Sequence, residues 1–284
     1  MELVQLMVAA EAFRPAKSIK ENWAANTLTG AAALWFLVAV IGQVAFAIYI
    51  AVFFGGTGAV GNFEAWNRRL MNGIIEGDPI GNASVVAHLI LAFVITVGGP
   101  LQLVPRIRAR APAFHRWNGR IYIATAIIIS IGGLYMVWAR GVFGGFVNQV
   151  AISLNAVLII LFALIAVRHA IARDIITHRR WALRLFIAVS GVWFYRVGIM
   201  AWILGNGAPV GITGNLDGPF DRFIAFGNFL LPLAVLELYL RVRDHANPSA
   251  KVTTALLIVV LTGIMSLGIF GAIMGMWLPR IQSM

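Results

Sequence analysis

Residues 147–184 read VNQVAISLNAVLIILFALIAVRHAIARDIITHRRWALR: an apolar run, a turn rich in Arg, then Trp and the start of a second apolar run. About 20 consecutive apolar residues cross a bilayer as a helix. In lipid the backbone N–H and C=O groups must be satisfied within the segment, so a lone run of this kind is helical. Outward from it the pattern recurs, with apolar runs at 28–54, 83–104, 119–139, 147–167, 181–204, 222–240 and 252–277. The expectation is an all-α, polytopic transmembrane bundle of about seven helices. Composition agrees, with 60% hydrophobic and 12% charged residues and a mean hydropathy of +0.86. The polar stretches 1–27 and 55–82 are too short to build cores of their own. The chain therefore divides into an N-terminal segment, 1–27, and one membrane domain, 28–284. Residues 1–13 look like a short amphipathic segment on the membrane surface.

Charge fixes the expected orientation. Of 22 Lys and Arg, 16 lie in the N-terminal segment and the second, fourth and sixth loops, from Arg14, Lys17 and Lys20 to Arg241, Arg243 and Lys251. Arg68, Arg69, Arg140, Arg222 and Arg280 fall on the other side, and Arg196 alone is intramembrane. The positive-inside rule then places the N-terminus in the cytoplasm and the C-terminus outside. A net charge of +11 points to anionic lipid headgroups as partners, since the cations line the ends of apolar helices, and not to nucleic acid. With no cysteine, thiolate-held iron–sulfur clusters and thiol catalysis are excluded. There is no H-E-x-x-H motif, and no carboxylate near the middle of a span. Metal-dependent hydrolysis and proton-coupled transport are correspondingly disfavoured.

One motif echoes itself. Phe114-His115-Arg116-Trp117-Asn118-Gly119-Arg120 follows the second run, and Thr177-His178-Arg179-Arg180-Trp181-Ala182-Leu183-Arg184 follows the fourth. Pro112 suits the first turn of a helix and Thr177 suits an N-cap, so both His residues belong to helix starts at one face of the membrane. Free N–H groups, the helix dipole and Arg side chains favour an anion there. His115, Arg116, Arg120, His178, Arg179 and Arg184 form the candidate cytoplasmic site. Arg and Trp at such ends also serve as generic interfacial anchors, a role that gives no reason for two matched imidazoles. If haem b is the cofactor, His115 and His178 are its iron ligands and the Arg side chains meet its propionates. A second candidate pair, His88 and Arg196, falls in the outer half. Gln43, Tyr135, Asn155, Tyr195 and Asn228 lie at similar depth, enough donors and acceptors for a quinone, a carboxylate or water. The plainer alternative has Arg196 reaching outer headgroups or pairing with Asp217 or Asp221. Glu237 is a candidate partner for the cytoplasmic Arg cluster.

Gly99-Pro100-Leu101-Gln102, Pro105-Arg106, Pro112, His115-Arg116-Trp117, Gly119-Arg120-Ile121-Tyr122, Gly132-Gly133 and His178-Arg179-Arg180-Trp181 together resemble the bacterial membrane-protein family called domain of unknown function 2306. The resemblance spans 88–204 and implies a multi-pass protein of the bacterial inner membrane, with its functional core in helices two to five, about 83–204. It implies no activity. A looser, architectural likeness links the chain to four-helix b-type cytochromes with paired His ligands. The expected function is a redox-type membrane protein with haem b or a quinone at the His/Arg site. The alternative is a non-enzymatic subunit that binds anionic lipid or a membrane-protein partner. No catalytic residue is identified from sequence.

Overall fold

The computed structural model describes residues 19–245 and 247–284. The expected surface segment at 1–13 lies outside the described residues. Among those described there is helix and no strand. The principal helices are α1 (Ile19–Tyr49), α2 (Pro79–Leu103), α3 (Pro112–Ala139), α4 (Gly145–Ile171), α5 (Ile175–Val189), α6 (Gly191–Asn206), α7 (Pro219–His245) and α8 (Pro248–Ala272). Proline opens α2, α3, α7 and α8, where its missing N–H costs nothing and its fixed φ suits the first turn. Asp78 caps α2 by accepting from Gly81 N, and Asn247 caps α8 by accepting from Ala250 N, both at 2.9 Å.

Six helices are long and apolar enough to cross a membrane, and α5 with α6 supplies a seventh if counted as one span. Most helices extend a few residues beyond the apolar runs, and three departures are larger. α1 starts at Ile19, inside the segment read as separate, and runs on through a π-helical stretch, Ile50–Gly55, into the turn Gly56–Ala59. The glycine-rich start of the polar stretch 55–82 thus begins as helix. There Thr57 is buried and its Oγ1 accepts from Trp66 Nε1 at 2.8 Å.

The third departure is the largest. The run 181–204 is not one rod: α5 and α6 meet at 54°. Ser190 Oγ donates back to Phe186 O at 2.8 Å, and Gly191 follows it. A Ser/Gly pair with a back-bonded hydroxyl is a recognised cause of helix bending. Neighbouring helices fill the angle with polar groups. Gln43 Nε2 donates to Ser190 Oγ at 2.9 Å, and Asn155 Nδ2 donates to Ala188 O at 3.2 Å. A Cβ on Gly191 would stand 2.8 Å from Asn228 Oδ1 and 3.0 Å from Asn155 Nδ2, so glycine admits both amides.

α8 packs on α1 and α6, α4 on α3 and α5, and α2 on α3. The glycine face of α8 meets α6 within the monomer: Gly268 lies against Val197, and Gly271 against Met200 and Leu204.

Candidate functional site

The turns joining α2 to α3 and α4 to α5 come together at one end of the bundle, the basic end. The α2–α3 turn is built by hydrogen bonds from side chains that the motif supplies. Gln102 Nε2 donates to His115 O at 3.1 Å, and Asn118 Nδ2 donates to Gly98 O at 2.9 Å. These clamps fix the first turn of α3, where His115 sits with its Nδ1 buried and unpartnered. In the α4–α5 turn Asp174, not Thr177, is the N-cap: its Oδ1 accepts from Thr177 N at 3.1 Å. The cap thus lies three residues before the expected one, and the Asp174 carboxylate suits the positive helix end. His178 follows, with its Nδ1 2.9 Å from Ala166 O on α4. His178, Arg108 and Arg116 all lie within electrostatic range of His115, so the two imidazoles of the echoed motif share this end.

The arginines divide into two groups. Arg184 is committed: its Nε and Nη2 donate to the two oxygens of Glu237 at 2.6 and 2.8 Å, and its guanidinium stacks 4.5 Å from the Trp181 ring. Trp181 in turn packs on Phe162 of α4, with ring centroids 5.5 Å apart. Arg180 pairs with Asp244. By contrast Arg116, Arg120 and Arg179 are exposed and make no ion pair among the described residues. Arg120 stacks on Trp117 at 4.9 Å. Arg108, near His115, is a site residue that the motif did not single out; it lies in the short helix Pro105–Arg110.

Toward the other end, His88 and Arg196 are within electrostatic range of each other. Nδ1 of His88 is buried without a partner. Arg196 donates from Nη1 to Val192 O at 2.9 Å and lies 5.1 Å over the Phe46 ring. It pairs with neither Asp217 nor Asp221: Asp221 accepts from the N–H groups of Thr213 and Gly218, and Asp217 from the Thr213 hydroxyl. Of the neighbours proposed at that depth, Tyr195 lies beside Arg196. Tyr135 is 42% exposed on the outside of the bundle. Gln43, Asn155 and Asn228 gather instead at the α5–α6 break.

Among the described residues no three His, Asp or Glu side chains gather as a metal site. Fold and site together define a polytopic α-helical membrane protein with a basic, imidazole-bearing end. Residues 85–215 match the family described as "Predicted membrane protein (DUF2306)", a stretch that runs from α2 through α6 and includes both His-Arg motifs. No curated protein and no solved structure gives a significant match.

Proposed function

We propose that this is a redox-type membrane protein that holds a b-type haem, or a quinone, where His115 and His178 approach each other. The observation that carries the reading is the contact between His178 Nδ1 and Ala166 O, at 2.9 Å. A carbonyl only accepts, so Nδ1 bears the proton and Nε2 of the neutral ring keeps a lone pair. Metal-ligating histidines are commonly oriented in this way. His115 offers a second imidazole at the same end. Arg116, Arg120 and Arg179 are guanidinium groups not used in ion pairs and suited to propionates, whereas Arg184 serves Glu237. Haem, when bound, supplies one-electron transfer; the chain's part is to hold and orient the group and set its polarity. A quinone would use the same Nε2 as a hydrogen-bond acceptor from its reduced form. In this reading the basic end is cytoplasmic and the membrane is the bacterial inner membrane.

The test is an oxidised-minus-reduced visible spectrum of the detergent-purified protein, expressed with haem supply, and of His115→Ala and His178→Ala. A stoichiometric b-type signal lost in either variant is the expected result. A flat spectrum from folded wild-type protein defeats the haem reading and leaves quinone to be sought by mass spectrometry of the co-purifying material. The exposed, unpaired Arg116, Arg120 and Arg179 favour a second reading, an accessory subunit that grips anionic lipid headgroups. Such binding would fall with Arg loss and added salt and would be indifferent to either His.

A further inference from the structure

In the half of the bundle opposite the basic end, Phe46 and Tyr49 of α1 stack with Trp277, at centroid distances of 6.3 Å (Phe46–Tyr49), 5.4 Å (Phe46–Trp277) and 6.2 Å (Tyr49–Trp277). A guanidinium lies at each end of this stack. Arg196 stands 5.1 Å over Phe46; Arg280 stands 6.0 Å from the Tyr49 ring and donates from Nη1 to the Tyr49 hydroxyl at 3.3 Å. The two cations act on one another electrostatically. Neither is ion-paired among the described residues; of the acids nearest in sequence to α6, Asp217 accepts from the Thr213 hydroxyl and Asp221 accepts through Oδ2 from the Thr213 and Gly218 N–H groups. Trp277 is 2% exposed, yet its Nε1 has no hydrogen-bond partner.

This region gathers donors and two unpaired cations in the outer half of the bundle, where unpaired charge is expensive. The backbone is unusual at the same place. π-helical turns occupy Ile50–Gly55, directly after Tyr49, and Ile273–Trp277, ending at Trp277. Such wide turns cluster at functional positions. Arg196 spends one donor on Val192 O at the exposed face of α6, and a guanidinium has five.

We infer that Arg196, on α6, together with Tyr49, Trp277 and Arg280, which border or end two π-helical turns, forms a binding site for an anionic phosphate group, carried either by a lipid headgroup or by a soluble molecule. Two guanidinium groups from separate helices supply the charge and the multiple N–H donors that phosphate oxygens take. The Phe46–Tyr49–Trp277 stack holds both cations in place. The site is independent of the haem reading, which concerns the other end.

The experiment uses the full chain in detergent. Native mass spectrometry with phosphatidylglycerol and phosphatidylcholine is run on the wild type and on Arg196→Gln, Arg280→Gln and Arg280→Lys, each checked for its melting temperature. The wild type is expected to retain phosphatidylglycerol over phosphatidylcholine. Either Gln variant is expected to lose one bound copy, with affinity at that site down about tenfold or more, as for loss of a charge-assisted contact, and Lys to fall between. Should Arg196→Gln not fold, Tyr49→Phe removes only the hydroxyl that positions Arg280 and reads the same loss. Displacement of that copy by millimolar inorganic phosphate assigns the site to a soluble phosphate compound; resistance assigns it to lipid. Equal retention of both lipids together with no stabilisation by phosphate, or folded Gln variants that bind as the wild type does, overturns the inference.

Discussion

His169 and Asp174 bracket the α4–α5 turn, with Nδ1 and Oδ2 3.2 Å apart, while the other carboxylate oxygen caps α5. Hydrogen bonds from the Thr177 side chain and backbone hold the Asp174 carboxyl below its ordinary pKa of 3.8, with His169 adding to the effect. A depressed carboxylate contributes stability above its unfolded pKa and loses it as pH falls through the folded one. Asp174→Asn keeps the cap and discards the charge. The variant is therefore expected to fall slightly short of the wild type in thermal stability at neutral pH and to converge on it as pH drops below about 3.8. Parallel melting curves from pH 3 to pH 7 check this, and a gap that widens toward acid would reject it. The same turn shows how far the candidate site is legible from residues alone. The echoed His-Arg strings mark both helix starts, and Glu237 was expected to meet the Arg cluster. Sequence does not tell which arginine it takes, because Arg179, Arg180 and Arg184 all sit in one basic turn. Only the placement of α7 against α5 gives Arg184 to Glu237 and Arg180 to Asp244.

Helices α5 and α6 carry the main departure from the pattern of apolar runs. Hydropathy reports that 181–204 is apolar enough to span, and the pair together does so. It is silent on the break, because Gln43, Asn155 and Asn228, which fill the angle, come from three other helices. Arg280 was hidden in the same way: by sequence it belongs to an outer end, while the structure turns it back to the Tyr49 hydroxyl. The glycine face of the last span was legible, because Gly268 and Gly271 of α8 and Gly275 of the π-helical turn after it recur at helical spacing and small residues let membrane helices approach closely. Its consequence is testable. A Cβ on Gly268 would stand 2.2 Å from the Val197 carbonyl oxygen, a backbone atom that cannot rotate away. Gly268→Ala is expected to destabilise the α6–α8 contact by about 1–3 kcal/mol, in the range of overpacked cores. Gly263→Ala meets nothing within 4 Å and is expected to be neutral or stabilising. Melting of the two variants in one detergent compares them directly, and equal melting temperatures would reject close packing at Gly268.

For the whole molecule, the ring stack and the basic end lie toward opposite ends of the bundle, so orientation decides which compartment each one meets. Lys and Arg are concentrated in alternate loops, and the structure gathers two of those loops, the ones carrying His115 and His178, at one end. Cations near the ends of spans are retained on the cytoplasmic side, so the expected orientation puts the basic end in the cytoplasm and Arg280 toward the outside. The sequence contains no cysteine, so each introduced thiol is a unique reporter. Arg179 is exposed at the basic end, and Gly214 is exposed in the loop between α6 and α7, with no atom within 4 Å of an added Cβ. A membrane-impermeant maleimide added to intact cells is expected to label Gly214→Cys and to spare Arg179→Cys until the membrane is opened. The reverse labelling would turn the molecule over. It would give the His115–His178 end to the outer compartment and the phosphate site to the cytoplasmic leaflet, where anionic lipids are the more abundant ligand in many membranes. Because each site rests on its own contacts, both would survive that inversion, and only the compartment supplying each ligand would change.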